Sequence, residues 1–283
     1  MKVSPLICLG VSLLLSPALY AQTPPPAPKD TKPADAKPAD ASPLDSKVKL
    51  DEIKKADVAE PVPGADAGQR VLPGLEKLTP EQRRTMMAGM GEVSNYLRGV
   101  RLQESLEKLN ELEAAVGDNH YIENLRGAVY TKMRNFKAAR PHFEKALDFA
   151  KGMDKESFHP RFNLAELDFV EKKWDDARTS FQKLLKDPGK PGNASDPLIK
   201  FKIMICDLQQ KKMADADVQM ATFDQYDAES PAYYYGQAIK LFAKDDKEGA
   251  NEWLESAKRI YPKEINEVFN DSLVEMGWLE TLQ

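Results

Sequence analysis

Few residues in this 283-residue sequence could carry catalytic or metal chemistry, and their spacing does not assemble a recognisable site. The three histidines, His120, His142 and His159, could act as metal ligands or acid–base groups, but none lies in a His-Glu-x-x-His arrangement. His120 and His159 occupy matching places in two similar segments, which leaves two interpretations open: a shared metal site or ordinary surface histidines. The second needs no further ligands, so we predict no metal site.

Two pairs of neighbouring carboxylates, Asp175-Asp176 and Asp245-Asp246, are the remaining candidates for acid–base catalysis. Both pairs fall in predicted turns, where acidic side chains favour the start of the following helix. A Gly-rich phosphate loop and a Gly-x-Ser-x-Gly nucleophile elbow do not occur in the sequence. We therefore predict no catalytic residues and no cofactor, and interpret the chain as a non-enzymatic protein.

The charge of the chain argues against nucleic acid as a partner. The sequence contains 40 Lys and Arg residues against 45 Asp and Glu residues, for a net charge of −5. Basic residues do not cluster in a stripe or alternate with aromatic residues, as a nucleic-acid surface would require. The high charged fraction, 30%, is typical of the solvated outer faces of helices.

The first 21 residues resemble a cleavable export signal. Lys2 is followed by the apolar segment 6–15, which is short for a membrane span, and Ala21 is a suitable small residue before a cleavage site. A retained N-terminal anchor is the alternative. Cleavage would leave a protein without a transmembrane span, located in the periplasm or cell envelope or secreted. It would also leave Cys206 alone in an apolar helix, so no internal disulfide is expected.

Residues 22–78 are predicted to form a disordered linker. The segment 32–41 reads Lys-Pro-Ala-Asp-Ala twice, and large apolar residues are scarce throughout the first fifty residues of the linker. Such a composition cannot offset the entropy lost on ordering. The linker either spans the distance between an envelope surface and the folded body, or is disordered without a role. Thr79-Pro80 with Gln82 predicts a helix start with a capping box, so we place the folded domain at 79–283.

A spacing of small and large residues recurs five times after Thr79. A small residue is followed by Ala twelve positions later and a large apolar residue four positions after that. Gly127, Ala139 and Phe143 give one copy. The central small positions are Ser105, Ala139, Ala177, Ala216 and Ala250, which lie 34, 38, 39 and 34 residues apart. Pairs of short amphipathic helices with close crossings would need this pattern.

The repeat resembles the tetratricopeptide (TPR) family, whose helix–turn–helix units are 34 residues long. The stretches 127–146 and 162–177 carry the resemblance most clearly, although Asp168 stands where the family usually has an aromatic residue. The resemblance implies an all-α, right-handed superhelical array of about five helix pairs. The predicted units are 86–119, 120–153, 158–187, 197–230 and 231–264, and 265–283 is predicted to be a helix that caps the open end of the array.

The resemblance also implies a binding site, because the first helices of successive units form a concave groove in this family. By alignment, the groove residues here are Asn124, Phe162, Glu166, Phe169, Phe201, Ile205, Tyr235, Ile239 and Phe242. Exposed apolar patches commonly mark binding surfaces, but aromatic residues at these positions could equally support the neighbouring helix. The predicted function is a non-catalytic protein-interaction scaffold of the bacterial cell envelope that binds a peptide. The alternative is a structural envelope protein that self-associates into a homo-oligomer.

Overall fold

The structure, a computed structural model, describes residues 73–280, and in that range the chain folds into eleven α-helices. The helices are α1 (Pro80–Arg98), α2 (Leu102–Val116), α3 (His120–Lys132), α4 (Phe136–Phe149), α5 (Asp154–Val170), α6 (Trp174–Leu185), α7 (Asp196–Gln209), α8 (Met213–Met220), α9 (Ala232–Phe242), α10 (Lys247–Ile260) and α11 (Lys263–Glu275). The first ten form five consecutive packed pairs. The all-α fold of about five helix pairs is therefore confirmed. The predicted signal peptide, 1–21, lies outside the described residues.

The start of α1 is held by the capping box that the sequence predicts. The Gln82 backbone N–H donates to Thr79 Oγ1 at 3.2 Å, and the Thr79 N–H donates to Gln82 Oε1 at 3.0 Å. Pro80 occupies the first helical position, where its missing N–H leaves no helical bond unmade. Two of the donors that every helix start leaves open are thus satisfied by side chains.

The folded region begins earlier than the linker prediction allows. Leu75 is only 2% exposed and belongs to the same apolar cluster as Met86 and Val93 of α1. Gly74 lies against the His120 ring at the start of α3. The segment 73–78 is therefore attached to the folded region through Leu75 and Leu78, which pack against this apolar cluster. The rest of the predicted linker, 22–72, lies outside the described residues.

The turn inside every helix pair has the same backbone conformation. The residue two positions before the second helix is left-handed in each turn, with φ between +56° and +62°: Val100, Arg134, Lys172, Lys211 and Asp245. The next residue donates its N–H to the carbonyl five residues earlier, at 2.8–3.0 Å, which closes the end of the first helix. These turns are spaced 34, 38, 39 and 34 residues apart, as the sequence predicts.

Small residues stand where the helices of a pair cross. The five predicted positions, Ser105, Ala139, Ala177, Ala216 and Ala250, are at most 1% exposed. At Gly127 the approach is closer still, because a Cβ atom there would lie 2.6 Å from the ring of Phe143. The five small residues are therefore buried, and at Gly127 the helix has no room for a larger side chain.

Neighbouring units are joined by ion pairs at equivalent positions. Arg140 of α4 donates to Asp168 of α5 at 2.8 Å, and Arg178 of α6 bonds Asp207 of α7 in the same way. Each arginine follows the small residue of its helix by one position. Asp168 thus departs from the aromatic residue usual in the family because it has an arginine partner in the preceding unit.

The last helix contacts the end of the array, as predicted, and also reaches earlier units. The sequence predicts that 265–283 covers the open end of the array, and α11 does contact α10 and α9 there. However, its side chains also reach Phe201 and Lys202 of α7 and Arg134 in the turn after α3. The prediction of a helix is confirmed, and α11 contacts the aromatic surface of α7 in addition to the last helix pair.

Within residues 73–280, none of the helices combines the length and the hydrophobicity that crossing a bilayer requires.

Candidate binding face of the first helices

The predicted groove residues lie on the first helices, but most are inaccessible to solvent. We call the surface that α3, α5, α7 and α9 share the first-helix face. Eight of its predicted ligand positions are between 0% and 6% exposed: Phe162, Glu166, Phe169, Phe201, Ile205, Tyr235, Ile239 and Phe242. Asn124 is half-buried. The expectation of an open apolar groove at these eight positions is therefore wrong for the structure as it stands.

Two of the aromatic residues belong to the interior of their own helix pair. The ring of Phe162 lies 5.9 Å from that of Phe181 in α6, and the ring of Phe169 lies 6.3 Å from Phe181 and 5.5 Å from Trp174. These edge-to-face contacts fill the space between α5 and α6. Phe162 and Phe169 hold the hairpin together, which is the supporting role that the sequence left open. Ile205 and Ile239 are likewise fully buried, at 0% exposure.

Three other aromatic residues form a seat for the C-terminal helix. The rings of Phe201 and Tyr235 each lie 5.1 Å from that of Phe269 in α11. Phe242 stacks on Trp278 just after α11, with 5.6 Å between ring centroids and 7° between their planes. A segment of the same chain therefore covers the aromatic side chains at these positions.

A buried ion pair lies beside this seat. Lys202 Nζ is 3.0 Å from Glu166 Oε1, and it donates to Ser272 Oγ of α11 at 2.8 Å. The ammonium group also lies 4.9 Å from the ring centroid of Phe169. Burial raises the pKa of Glu166, although the Lys202 charge opposes this shift. Lys202 therefore joins α7 to α5 through an ion pair and to α11 through a hydrogen bond.

Two further polar contacts fix α11 along its length. The Tyr235 hydroxyl donates to Asn270 Oδ1 at 2.8 Å and lies 3.1 Å from the Asn266 carbonyl oxygen. At the other end, Arg134 Nη1 donates to Glu275 Oε1 at 2.6 Å, across 141 residues of sequence. α11 thus spans from the fifth helix pair to the turn of the second.

Asn124 lies in the part of the face where these α11 contacts do not occur. Its Oδ1 accepts a hydrogen bond from Asn163 Nδ2 at 2.9 Å, which links α3 to α5. Beside it, Glu123 is fully buried and binds Arg126 at 2.9 Å and His142 Nδ1 at 2.6 Å. The contact between α3 and α5 at Asn124 is therefore polar, while Glu123 and Arg126 bind residues of the second helices α4 and α2.

The histidines are more buried than the sequence suggests. His120 is 4% exposed, and its Nε2 has no hydrogen-bond partner among residues 73–280. Burial lowers the pKa of His120 to about 4 and also lowers the pKa of His159, so both rings are neutral at pH 7. Among the described residues, no three His, Cys, Asp or Glu side chains are grouped as a metal site would need.

Sequence reasoning missed Lys202, Arg134 and the α11 contacts. A signal for α11 was present, because Phe269, Ser272 and Glu275 are spaced three apart and must lie on one stripe of a helix. Nothing in the sequence pattern says which surface that stripe contacts.

Comparison with known proteins supports the fold. No protein-family profile matches the sequence, and no curated protein matches it significantly. Among solved structures, pilF of Pseudomonas aeruginosa is similar over 70% of this chain and 90% of its own, with 14% identity and a TM-score of 0.50. A tetratricopeptide repeat protein from Parabacteroides merdae ATCC 43184 is 19% identical over 65% of this chain and 70% of its own, with a TM-score of 0.47. YrrB, a TPR protein with an unusual peptide-binding site, is 19% identical over 65% of this chain and 91% of its own, with a TM-score of 0.41.

The repeated helix pairs, their shared turn and the likeness to pilF together establish the architecture. The chain has a fold of the tetratricopeptide-repeat type.

Proposed function

We propose that this protein is a non-catalytic scaffold of the bacterial cell envelope that binds a peptide segment of another protein on its first-helix face. The single observation that carries the proposal is the seating of α11 on that face. Fold alone does not assign function, so the proposal rests on the chemistry of this surface.

The face is suited to binding because it combines an apolar seat with a few fixed polar groups. Phe201 and Tyr235 form the apolar part, and Lys202, the Tyr235 hydroxyl and Arg134 provide hydrogen-bond donors. Aromatic anchors in desolvated pockets usually carry most of the energy of an interface. Donors at fixed distances add selectivity for the register of a bound segment.

The buried carboxylates have structural partners, which supports a binding rather than a catalytic role. Burial raises the pKa of both Glu166 and Asp207. Glu166 pairs with Lys202, and Asp207 pairs with Arg178 of the preceding unit. In each case the perturbed group is held by a charge that joins two elements of the array.

The envelope location comes from the N-terminal sequence. Lys2, the apolar segment 6–15 and Ala21 have the order and spacing of a cleavable signal. Export of the protein can be checked by comparing the mass of the purified mature chain with that expected after cleavage following Ala21.

Site-specific photocrosslinking in the full-length protein tests the binding function. A crosslinking residue at the half-buried Asn124, on the first-helix face, is compared with one at the exposed Glu252 of α10. We expect one envelope protein to be captured at Asn124 and not at Glu252. Equal capture at both positions, or none at Asn124, would refute binding on this face. Capture of only a second copy of the chain would favour the self-associating structural alternative.

A further inference from the structure

One stripe of α11 makes a complete set of contacts with the first-helix face. Phe269, Ser272 and Glu275 follow one another at intervals of three residues, which places them along one inclined row of the helix surface. Phe269 meets two rings, Ser272 accepts from Lys202, and Glu275 accepts from Arg134. The face therefore presents an aromatic seat, an ammonium group and a guanidinium group in that order.

The stripe is desolvated along its whole length. Phe269 is 4% exposed and Ser272 1%, and the side chain of Glu275 is 5% exposed. Arg134, which holds Glu275, is 44% exposed and keeps contact with water. The carboxylate is thus covered by the face while its partner charge remains hydrated, an arrangement that favours an anionic group over a neutral one at this position.

The connection between α10 and α11 is short, and Asn266 of α11 donates hydrogen bonds to its carbonyl groups. Tyr261 and Pro262 are both extended, with ψ angles of 148° and 150°, and they alone separate the two helices. At its other end α11 closes at Gly277, whose φ of +70° ends the helix, and Trp278 then stacks on Phe242. The contacts that bind α11 to α7 and to the turn after α3 are made by side chains rather than by a shared backbone ladder.

We propose that α11 is a resident ligand of the first-helix face, and that a partner displaces it with an amphipathic helix carrying an aromatic residue, a hydroxyl and a carboxylate at positions i, i+3 and i+6. This inference rests on the proposed binding function and adds the chemistry of the partner and the regulation of the site.

The resident helix lowers the apparent affinity of the face for a partner. A ligand that needs α11 to leave has its apparent affinity reduced by the fraction of molecules in which the face is open. Weakening α11 raises that fraction and tightens binding of a helix in trans by the same factor. A partner without the carboxylate would leave Arg134 unpaired, and a partner without the aromatic residue would leave the seat between Phe201 and Tyr235 unfilled.

A synthetic peptide tests this directly. The probe is a fluorescent peptide with the sequence of residues 262–280, titrated by anisotropy against the full-length protein. The chain is used as wild type, as Phe269→Ser, as Glu275→Gln, and as the control Glu267→Gln, which changes an exposed residue of the same helix. We expect Phe269→Ser to bind the peptide at least about tenfold tighter than wild type, with a smaller gain for Glu275→Gln and none for the control.

The peptide is then varied against the Phe269→Ser chain. Serine at the position of Phe269 should weaken binding more than about tenfold, since it removes the anchor. Glutamine at the position of Glu275 should weaken it less, and glutamine at Glu267 should leave it unchanged. Helix content by circular dichroism shows whether each chain variant is folded. If Phe269→Ser does not fold, the comparison of peptide affinity with wild type is made with Glu275→Gln instead.

Equal peptide affinity for wild type and both α11 variants would overturn the proposal. Sedimentation gives a second test. If the wild-type protein is a dimer and Phe269→Ser is a monomer, α11 binds a second copy of the chain, and the proposal is overturned. If crosslinking at Asn124 finds an envelope partner but the peptide fails, the binding function stands and the resident-ligand inference falls. If the peptide binds but crosslinking finds no partner, α11 is shown to be a displaceable helix, but the proposed binding function falls, and displacement by a partner falls with it.

Discussion

The first-helix face differs between the N-terminal and C-terminal parts of the array, although the backbone repeats. Around α3 it is polar, and the side chain of Asn124 accepts a hydrogen bond from Asn163 of α5. Around α7 and α9 it is aromatic, and Phe201 and Tyr235 are covered by α11. The same left-handed turn closes the first helix of every pair in both parts.

The difference shows that the residues that specify the backbone of the array are distinct from those that form the first-helix face. Small residues at the crossings and the shared turn specify the backbone, and they leave the first-helix face free to vary. Where the face is polar, its groups satisfy one another locally. Where it is aromatic, exposure of the rings would be unfavourable, and a helix of the same chain covers them.

The largest effect is expected in the aromatic part, at Phe269. Replacing Phe269 by Ala would leave a cavity between Phe201 and Tyr235 and lower the free energy of unfolding by about 3–5 kcal/mol. Urea denaturation followed by circular dichroism measures the change. Glu267→Ala, on the exposed side of α11, is the control and should stay within about 0.5 kcal/mol. An unaffected Phe269→Ala variant would mean that α11 is only loosely attached.

A second test asks whether successive helix pairs share one backbone design. Ala139→Leu, between α3 and α4, and Ala177→Leu, between α5 and α6, each force a larger side chain into a fully buried crossing. Both should lower the free energy of unfolding by about 1–3 kcal/mol. If either variant kept the wild-type denaturant midpoint, the assigned repeat register would be incorrect at that unit.

The two parts should also respond oppositely to pH. The pKa of His120 falls from 6.5 to about 4 on folding, so the unfolded chain takes up its proton first as the solution is acidified. Stability that His120 contributes above pH 6.5 is therefore lost as the pH falls towards 4. Glu166 acts in the other direction, because its folded pKa is raised and its contribution is lost as the pH rises.

His120→Gln measures the first of these terms. Between pH 7 and pH 4, the free energy of unfolding should fall less for the variant than for wild type. The difference between the two losses should be on the order of 2 kcal/mol. The comparison uses urea midpoints of both proteins at each pH. Parallel curves for the two proteins would show that His120 titrates alike in the folded and unfolded chains.

The smallest expected effect is a gain in stability in the first turn. Val100 has φ +58°, a conformation that a β-branched residue adopts only with strain, while the equivalent turns have unbranched residues at this position. Val100→Asn should raise the free energy of unfolding by about 1 kcal/mol. Lys211→Asn in the fourth turn serves as the comparison and should gain less. A loss of stability at Val100→Asn would mean that the valine side chain makes a contact that outweighs the strain.

Much of the backbone could be predicted from sequence because its causes are local. The cap at Thr79 and Gln82 depends on residues three apart, and the crossing at Ala139 depends on residues within one hairpin. Such signals recur at each repeat, so five imperfect copies support one another. The spacing of the turns followed from them without any knowledge of tertiary contacts.

The candidate site could be predicted only in part because its contacts are distant in sequence. Phe201 and Tyr235 were placed correctly on the first helices, but an aromatic residue there has the same sequence pattern whether a partner or the chain itself covers it. The pair Arg134 and Glu275 is separated by 141 residues, and no local periodicity connects them. His120 is buried because Leu75 and Gly74 fold back over the start of α3, which the linker-like composition around them concealed.

The seating of α11 on the aromatic part of the face is tested most directly by a double-mutant cycle between Phe201 and Phe269, whose ring centroids lie 5.1 Å apart. The free energy of unfolding is measured for wild type, Phe201→Ala, Phe269→Ala and the double variant. Direct contact predicts that the double variant loses less than the sum of the single losses, with a coupling of about 1–3 kcal/mol. Additivity within about 0.5 kcal/mol would show that α11 does not rest on α7.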